Sequence, residues 1–140
     1  MIMAGGTGGH IFPALAVADI LSGRGWKVVW LGAEGGMETR LVPQHGYAIE
    51  TVRIAGMRRN GLKRWLSLPF MLGRALLRTS VVIFRHRPDI AVGFGGYTGF
   101  PGGLMSRLFW RPLVIHEQNA VAGLTNRMMA KIANRTLFAF

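Results

Sequence analysis

The residues best suited to chemistry stand near the start of the chain, where a glycine-rich segment ends in a histidine. The segment consists of Gly5, Gly6, Thr7, Gly8, Gly9 and His10. Glycine lets the backbone approach an anion closely, and a helix that begins just after such a segment points unpaired N–H groups at the same place. The spacing fits neither the P-loop nor the dinucleotide fingerprint GxGxxG. It predicts either a phosphate-binding loop or a tight turn in which the glycines serve packing alone.

His10 favours the phosphate-binding interpretation, because it adds a proton-accepting side chain to the same segment. Histidine is the side chain whose ordinary pKa suits general-base catalysis near neutral pH, and a well-placed base contributes about 10²–10⁴-fold to a rate. The alternative is a neutral histidine that only caps the turn. The other histidines are given no catalytic role: His45 and His86 are interpreted as surface residues and His116 as a strand-end residue.

Two further segments follow apolar runs in the same way. One contains Gly95, Gly96, Tyr97 and Thr98, and the other contains Glu117, Gln118 and Asn119. Ligands of parallel α/β sheets bind outside the carboxyl ends of the strands, so we expect all three segments to border one crevice. The glycine segment on its own is equally consistent with packing. Three consecutive hydrogen-bonding side chains exceed what a helix cap needs, and they are typical of the recognition of hydroxyls or amides, as in a sugar.

The elements that must position these segments alternate between strand and helix. Strands are predicted at Ile2–Ala4, Lys27–Gly32, Tyr47–Ile54, Asp89–Phe94, Pro112–His116 and Arg135–Phe140. Helices are predicted at Phe12–Arg24, with Pro13 in the first turn, and at Met37–Gln44, Gly61–Arg87, Gly102–Trp110 and Val121–Asn134. The strands are apolar throughout, which is typical of a parallel sheet covered on both faces. The pattern therefore predicts an α/β fold with a doubly wound, Rossmann-like parallel sheet.

Length and composition limit the classes of protein. A chain of 140 residues has room for one domain, and its 17 Lys and Arg outnumber six Asp and Glu, which gives a formal charge of +11. This charge calls for an acidic partner, namely nucleic acid, an anionic membrane surface or phosphorylated small molecules. The absence of cysteine excludes disulfides, thiolate metal sites and cysteine nucleophiles. No secretory signal is recognised, and because the sequence ends within an apolar run we expect one half of a larger protein.

A basic and apolar segment lies between Glu50 and Asp89, where nine basic residues and no acidic residue occur. A membrane span is rejected here because Arg74 and Arg78 would lie near its middle, at a cost of about 2.5–3.5 kcal/mol each. We interpret the segment as a membrane-surface patch made of Lys63, Arg64, Trp65, Leu66, Phe70 and Arg74, with Trp110 as an additional anchor. The alternatives are a buried helix with a solvated basic rim, or a nucleic-acid surface. For the latter, neither stacking aromatics nor a recognition helix is evident.

Taken together, four segments closely resemble the MurG family, the bacterial UDP-N-acetylglucosamine transferases of peptidoglycan synthesis. They are MAGGTGGHIFPALAVA at Met3–Ala18, WLG at Trp30–Gly32, GGYTGFPGG at Gly95–Gly103 and HEQNAVAGLTNRMMAKIA at His116–Ala133. The resemblance covers essentially the whole chain in order. It implies that residues 1–140 form the acceptor-side, amino-terminal domain of a GT-B glycosyltransferase, and that the carboxyl-terminal donor domain is absent from this sequence.

The resemblance also implies a reaction. N-acetylglucosamine would move from UDP-N-acetylglucosamine to the C4 hydroxyl of the undecaprenyl-diphosphate-linked muramoylpentapeptide (lipid I), which gives lipid II. The transfer would proceed with inversion and without a metal or other cofactor. The enzyme would be peripheral, at an anionic membrane surface on the cytoplasmic face of the bacterial inner membrane. Cell-wall synthesis proteins are further candidate partners, and nucleic acid is not expected. The isolated domain is expected to be inactive without its second half.

Individual roles follow from the matched positions. Thr7, Gly8 and Gly9 match loop residues beside the donor and the acceptor diphosphate, His10 matches the histidine proposed as base for the attacking hydroxyl, and Asn119 matches a polar residue that contacts donor or acceptor. Gly95, Gly96 and Tyr97 match the second loop. Many relatives have serine and then glycine where this chain has Gly99 and Phe100. This departure leaves Thr98 as the hydroxyl available there.

Two other functions remain open at this point. A non-catalytic, phosphate-binding and membrane-docking module is consistent with the missing half and with the basic segment. Another GT-B enzyme, which acts on a glycolipid or epimerises a UDP-sugar, is less consistent with the segments Gly-Gly-Thr-Gly-Gly-His and His-Glu-Gln-Asn.

Overall fold

A computed structural model describes residues 1–54 and 62–140, and of residues 62–67 it describes the backbone alone. The strands are β1 (Ile2–Ala4), β2 (Val29–Ala33), β3 (Ala48–Val52), β4 (Ala91–Gly95), β5 (Leu113–Glu117) and β6 (Arg135–Phe138). The helices are α1 (Gly8–Gly23), α2 (Glu38–Gln44), α3 (Leu62–His86), α4 (Gly99–Leu108) and α5 (Leu124–Ala130). Strand and helix thus alternate along the chain in the predicted order.

Within the described residues, the strands form one parallel sheet in the order β3-β2-β1-β4-β5-β6. This is the strand order of the Rossmann-type doubly wound sheet, and it confirms the predicted fold class. The order reverses between β1 and β4. The loops that follow these two strands therefore lead to helices on opposite faces, and they leave a crevice at the carboxyl end of the sheet.

Strand β1 illustrates how both faces of the sheet are buried. Met3 packs on one face with residues of α3, α4 and α5. Ile2 and Ala4 pack on the other face with residues of α1 and α2. All three side chains are at most 2 % exposed. A central strand with both faces covered has no solvated side, which explains why its sequence is apolar at every position.

Helix α1 begins earlier than predicted, at Gly8 rather than near Phe12. Thr7 precedes it with extended backbone (φ −135°, ψ 156°), as a residue at a helix start does, so Gly8, Gly9 and His10 form the first turn. Pro13 consequently lies in the second turn, where it leaves the Gly9 carbonyl without its helical donor. The glycine-rich segment is thus half loop and half helix.

The carboxyl-terminal helices also differ from the predicted bounds. Helix α4 begins at Gly99 rather than Gly102, and α5 covers Leu124–Ala130 rather than the longer range from Val121. Val121 lies instead in an exposed loop. Among the helices of the described residues, none is long and apolar enough to cross a membrane.

Candidate functional site

The carboxyl ends of β1 and β4 border a cavity of about 440 Å³. Its walls come from three places: the loop after β1, the loop after β4 and the start of α5. They consist of Gly5, Gly6, Thr7, His10, Gly95, Gly96, Tyr97, Gly123, Leu124, Thr125 and Asn126. The prediction that the first two segments border one crevice is confirmed. The third segment contributes through Gln118, which reaches His10 from the end of β5.

Three backbone amides at the start of α1 have no protein acceptor. The His10 N–H donates to the Thr7 carbonyl at 3.1 Å, and the Gly6 N–H donates to Glu38 Oε2 at 3.3 Å. The N–H groups of Thr7, Gly8 and Gly9 have no acceptor among the described residues. The predicted cluster of amides therefore excludes Gly6 and His10, whose N–H groups are engaged. Together with the positive end of the helix dipole, the three free amides suit an anion.

The two glycine loops touch each other through their backbones. A β-carbon on Gly96 would collide with the carbonyl group of Gly5, and one on Gly95 would lie 2.8 Å from His10 Cε1. Gly95 and Gly96 also have φ angles of +106° and +85°, in the region that side chains rarely adopt. The packing interpretation of these glycines is thus correct, and the same packing holds His10 against the cavity.

Sequence reasoning missed Glu38, a fully buried carboxylate beneath the first loop. Its Oε1 accepts the Ala33 N–H at 2.8 Å, and its Oε2 accepts the Gly6 N–H at 3.3 Å. A β-carbon on Gly5 or Gly36 would overlap this carboxylate. Glu38 therefore fixes the course of the loop after β1 from a position 32 residues away from Gly6 in sequence. No local pattern connects the two.

His10 is held by the side chain of Gln118, the residue that follows β5. Its Nδ1 lies 2.6 Å from Gln118 Nε2, and the same amide nitrogen lies 3.0 Å from the Phe94 carbonyl oxygen. Gln118 Oε1 in turn lies 3.4 Å from His116 Nδ1, and the His116 ring packs on Phe94 with 5.1 Å between ring centroids. His116 is thus part of the wall behind Gln118.

Glu117 differs from the prediction, because it is the last residue of β5 and only 3 % exposed. Its carboxylate accepts four hydrogen bonds, from the backbone and side-chain N–H groups of Asn119, from the Gly123 N–H and from Asn126 Nδ2. Burial raises the pKa of the Glu117 carboxyl, but these hydrogen bonds together outweigh burial and hold its pKa below the usual value. Glu117 therefore positions the loop and does not face a substrate.

The remaining predicted site residues divide into accessible and buried ones. Asn119 is exposed, although its Nδ2 is engaged by Glu117 Oε1 at 2.9 Å. Tyr97 is 40 % exposed and lines the cavity. Thr98 is fully buried and its hydroxyl has no partner among the described atoms, so it is not accessible from the cavity in this structure and its role toward a substrate stays a prediction. His86 is also not a surface residue, since it is 22 % exposed and bonds to Glu50 at 2.8 Å.

An apolar groove of about 270 Å³ adjoins the cavity and shares Tyr97, Leu124 and Thr125 with it. Leu68, Met71 and Leu72 of α3 and Ile54, Phe100 and Met128 complete its walls. The site thus joins a polar compartment with free amides to an apolar one.

The predicted membrane patch is described only in part. The side chains of Lys63, Arg64, Trp65 and Leu66 lie outside the described residues. Phe70 is 76 % exposed, Arg74 is exposed, and Trp110, just after α4, is 89 % exposed. On α3 the exposed residues Phe70, Leu77, Val81 and Phe84 fall on one face at helical spacing, while the opposite face is buried in the core. One face of this helix is therefore part of the core, and the other is an exposed apolar surface.

The described residues contain no cluster of three or more His, Asp or Glu side chains that would hold a metal ion.

Comparison with known proteins gives consistent matches. The model for the glycosyltransferase family 28 N-terminal domain matches residues 1–138. Two relatives are named UDP-N-acetylglucosamine–N-acetylmuramyl-(pentapeptide) pyrophosphoryl-undecaprenol N-acetylglucosamine transferase: one from Nitrosospira multiformis, 53 % identical, and one from Neisseria meningitidis serogroup C, 56 % identical. Each alignment covers all of this chain and 39 % of the relative.

A solved structure agrees with these sequence matches. The crystal structure of Acinetobacter baumannii MurG superposes with a TM-score of 0.89 at 45 % identity, and the match covers all of this chain and 40 % of that one. The chain thus spans about two fifths of the length of the proteins it matches. By its fold and by the match over nearly its whole length, the chain belongs to glycosyltransferase family 28, as a member of the N-terminal domain family.

Proposed function

We propose that this domain forms the acceptor side of an inverting transferase that moves N-acetylglucosamine from UDP-N-acetylglucosamine to lipid I, a lipid-linked muramoylpentapeptide diphosphate. The observation that carries the proposal is the joined site at the switch point of the sheet. The free amides at the start of α1, among them that of Thr7 on the cavity wall, suit a phosphate, and the adjoining groove suits an apolar chain. A polyprenyl diphosphate combines these two chemistries in one molecule.

The relatives support this choice of substrates. The names of the Nitrosospira and Neisseria proteins specify both the sugar and the pyrophosphoryl-undecaprenol acceptor, and this chain is 53 % and 56 % identical to them. That similarity favours a transferase over a non-catalytic docking module. Because the chain spans only two fifths of the relatives, we propose that a donor-binding domain must complete the cleft, and that residues 1–140 alone are inactive.

His10 is the histidine placed for action on the substrates. It stands in the first turn of α1, on the wall of the cavity, next to the free amides at the start of that helix. The matched position implies the role of a base for the attacking C4 hydroxyl. This role requires an unprotonated ring nitrogen that faces the cavity.

The exposed face of α3 supports a peripheral position at the cytoplasmic face of the inner membrane. Phe70 and Leu77 present apolar surface to solvent beside the exposed Arg74. Apolar side chains gain by insertion between headgroups, and each basic residue near an anionic leaflet contributes about 1 kcal/mol. The apolar groove opens between α3 and α5, so a membrane-bound acceptor would reach the cavity from this side.

A transfer assay tests the catalytic proposal. Joined to the donor domain of the Neisseria relative, the chain should transfer N-acetylglucosamine to lipid I, and residues 1–140 alone should not. His10→Ala in the joined protein should lower turnover by about 10²-fold or more, while His45→Ala at an exposed position should leave it unchanged. A joined protein that folds, binds UDP-N-acetylglucosamine and transfers nothing to lipid I would contradict the proposed acceptor.

A further inference from the structure

The hydrogen bonds around Gln118 determine which ring nitrogen of His10 carries the proton. Gln118 Nε2 lies 3.0 Å from the Phe94 carbonyl oxygen, which is able only to accept. The amide nitrogen of Gln118, and not its oxygen, must therefore face Phe94. The reversed amide would bring two oxygens to this distance without a proton between them.

The second hydrogen of the same amide points to His10. Gln118 Nε2 lies 2.6 Å from His10 Nδ1, so Nδ1 must accept with its lone pair. In a neutral imidazole only one nitrogen accepts, and the other carries the proton. The neutral ring of His10 is thus protonated at Nε2. Gln118 Oε1 remains free to accept from His116 Nδ1 at 3.4 Å, which agrees with the same amide orientation.

We infer that Gln118 is a positioning residue that fixes His10 as its Nε2–H tautomer, so that His10 meets the substrate as a hydrogen-bond donor to a phosphate oxygen. This inference rests on the proposed function for the identity of the ligand. It reassigns the role given to His10 by its matched position: the lone pair that a base needs is engaged by Gln118, and Nε2 presents a hydrogen. His10 and Thr7 both line the cavity, and the N–H of Thr7 has no acceptor among the described residues, so His10 would add a side-chain donor to a backbone donor there.

Nitrogen NMR on the ¹⁵N-labelled 140-residue chain tests the tautomer directly. At a pH where the imidazoles are neutral, we expect a pyrrole-type signal for His10 Nε2 and a pyridine-type signal for Nδ1. The loss of these signals in His10→Asn assigns them, and the exposed His45 provides a reference without such a partner amide. A pyrrole-type Nδ1 in the unaltered chain would overturn the inference and restore His10 as a base.

Two substitutions of Gln118 distinguish a role in fixing the His10 tautomer from a role in packing alone. Gln118→Glu has nearly the same shape but offers only acceptors, so it should convert His10 to the Nδ1–H tautomer. Gln118→Leu removes the amide and should leave a mixture of both His10 tautomers. The backbone amide NMR spectra of both variants would show whether each of them keeps the fold. An unchanged Nε2–H tautomer in both variants would overturn the role of Gln118.

Inorganic pyrophosphate probes the donor role. We expect added pyrophosphate to shift the His10 Nε2 signal but not the signals of His45. The variant His10→Phe keeps a ring but has no donor, so we expect it to bind pyrophosphate about tenfold or more weakly. Unmoved His10 signals at saturating pyrophosphate would overturn the donor role. This readout needs neither lipid I nor a donor domain, so its failure is distinguishable from failure of the transfer assay.

Discussion

Gly96 faces Gly5 so closely that a β-carbon on Gly96 would overlap the Gly5 carbonyl group. This contact joins the loops after β1 and β4, the two central strands between which the strand order reverses. Glu38 also holds the Gly6 N–H, and His10 packs on Gly95. The close approach of the two loops therefore requires glycine at Gly95 and Gly96.

Gly96→Ala is expected to lower the free energy of unfolding strongly. Its φ of +85° costs alanine about 1–2 kcal/mol, and the overlap with Gly5 adds to this cost. Gly25→Ala is the matched control, because Gly25 has a φ of +84° and its β-carbon would meet nothing within 4 Å. Urea denaturation measures both variants. If both variants lose the same free energy of unfolding, the contact between the loops contributes nothing to stability.

Glu38→Gln is expected to destabilise the domain by about 1–3 kcal/mol. Both oxygens of this buried carboxylate accept backbone N–H groups, and glutamine would turn an N–H₂ toward one of these donors. Glu34→Gln is the control, since Glu34 forms an exposed pair with Arg53 and such pairs contribute about 0–1 kcal/mol. Equal free energies of unfolding for the two variants, measured by urea denaturation, would contradict a role for Glu38 beneath the loop.

Stability should depend on the ionisation of Glu117 in acid. Its folded-state pKa lies below the unfolded value, so its contribution is complete above the unfolded pKa and is lost as the pH falls through the folded pKa. Glu117→Gln should therefore be less stable than the unaltered chain at neutral pH and lose less stability on acidification. Urea denaturation across the range from about pH 6 to pH 3 tests this. Parallel stability curves for the two proteins would refute it.

Binding to membranes should require the exposed face of α3. Phe70→Ser with Leu77→Ser is expected to weaken sedimentation with anionic vesicles several-fold, because these side chains are 76 % and 72 % exposed and lose their insertion into the headgroup layer. Ile20→Ser is the control, at a residue 57 % exposed on α1, across the sheet from α3. Binding should also fall with added salt, since basic residues contribute. Equal binding to neutral and anionic vesicles would exclude the electrostatic contribution.

The predicted element bounds show where local sequence was insufficient. The predicted start of α1 near Phe12 relied on Pro13, the strongest local signal, yet Gly8 and Gly9 are helical. Glycine has a low helix propensity, and what draws these residues into the helix is the docking of Ile11 and Leu15 on the sheet. Similarly, α5 begins only at Leu124, because Glu117 ties the Gly123 N–H into the preceding loop.

The sequence by itself determined the class of sheet and the position of the glycine loops, because uniformly apolar strands and glycine clusters are local properties of the chain. Only the tertiary structure decided which side chains contact which loops and which of them are buried. Glu38 beneath Gly6, Gln118 against His10 and the buried hydroxyl of Thr98 all depend on contacts between residues far apart in the chain or on packing around them. Such contacts form only when the sheet order brings β1, β4 and β5 side by side, and no periodicity in the sequence encodes them.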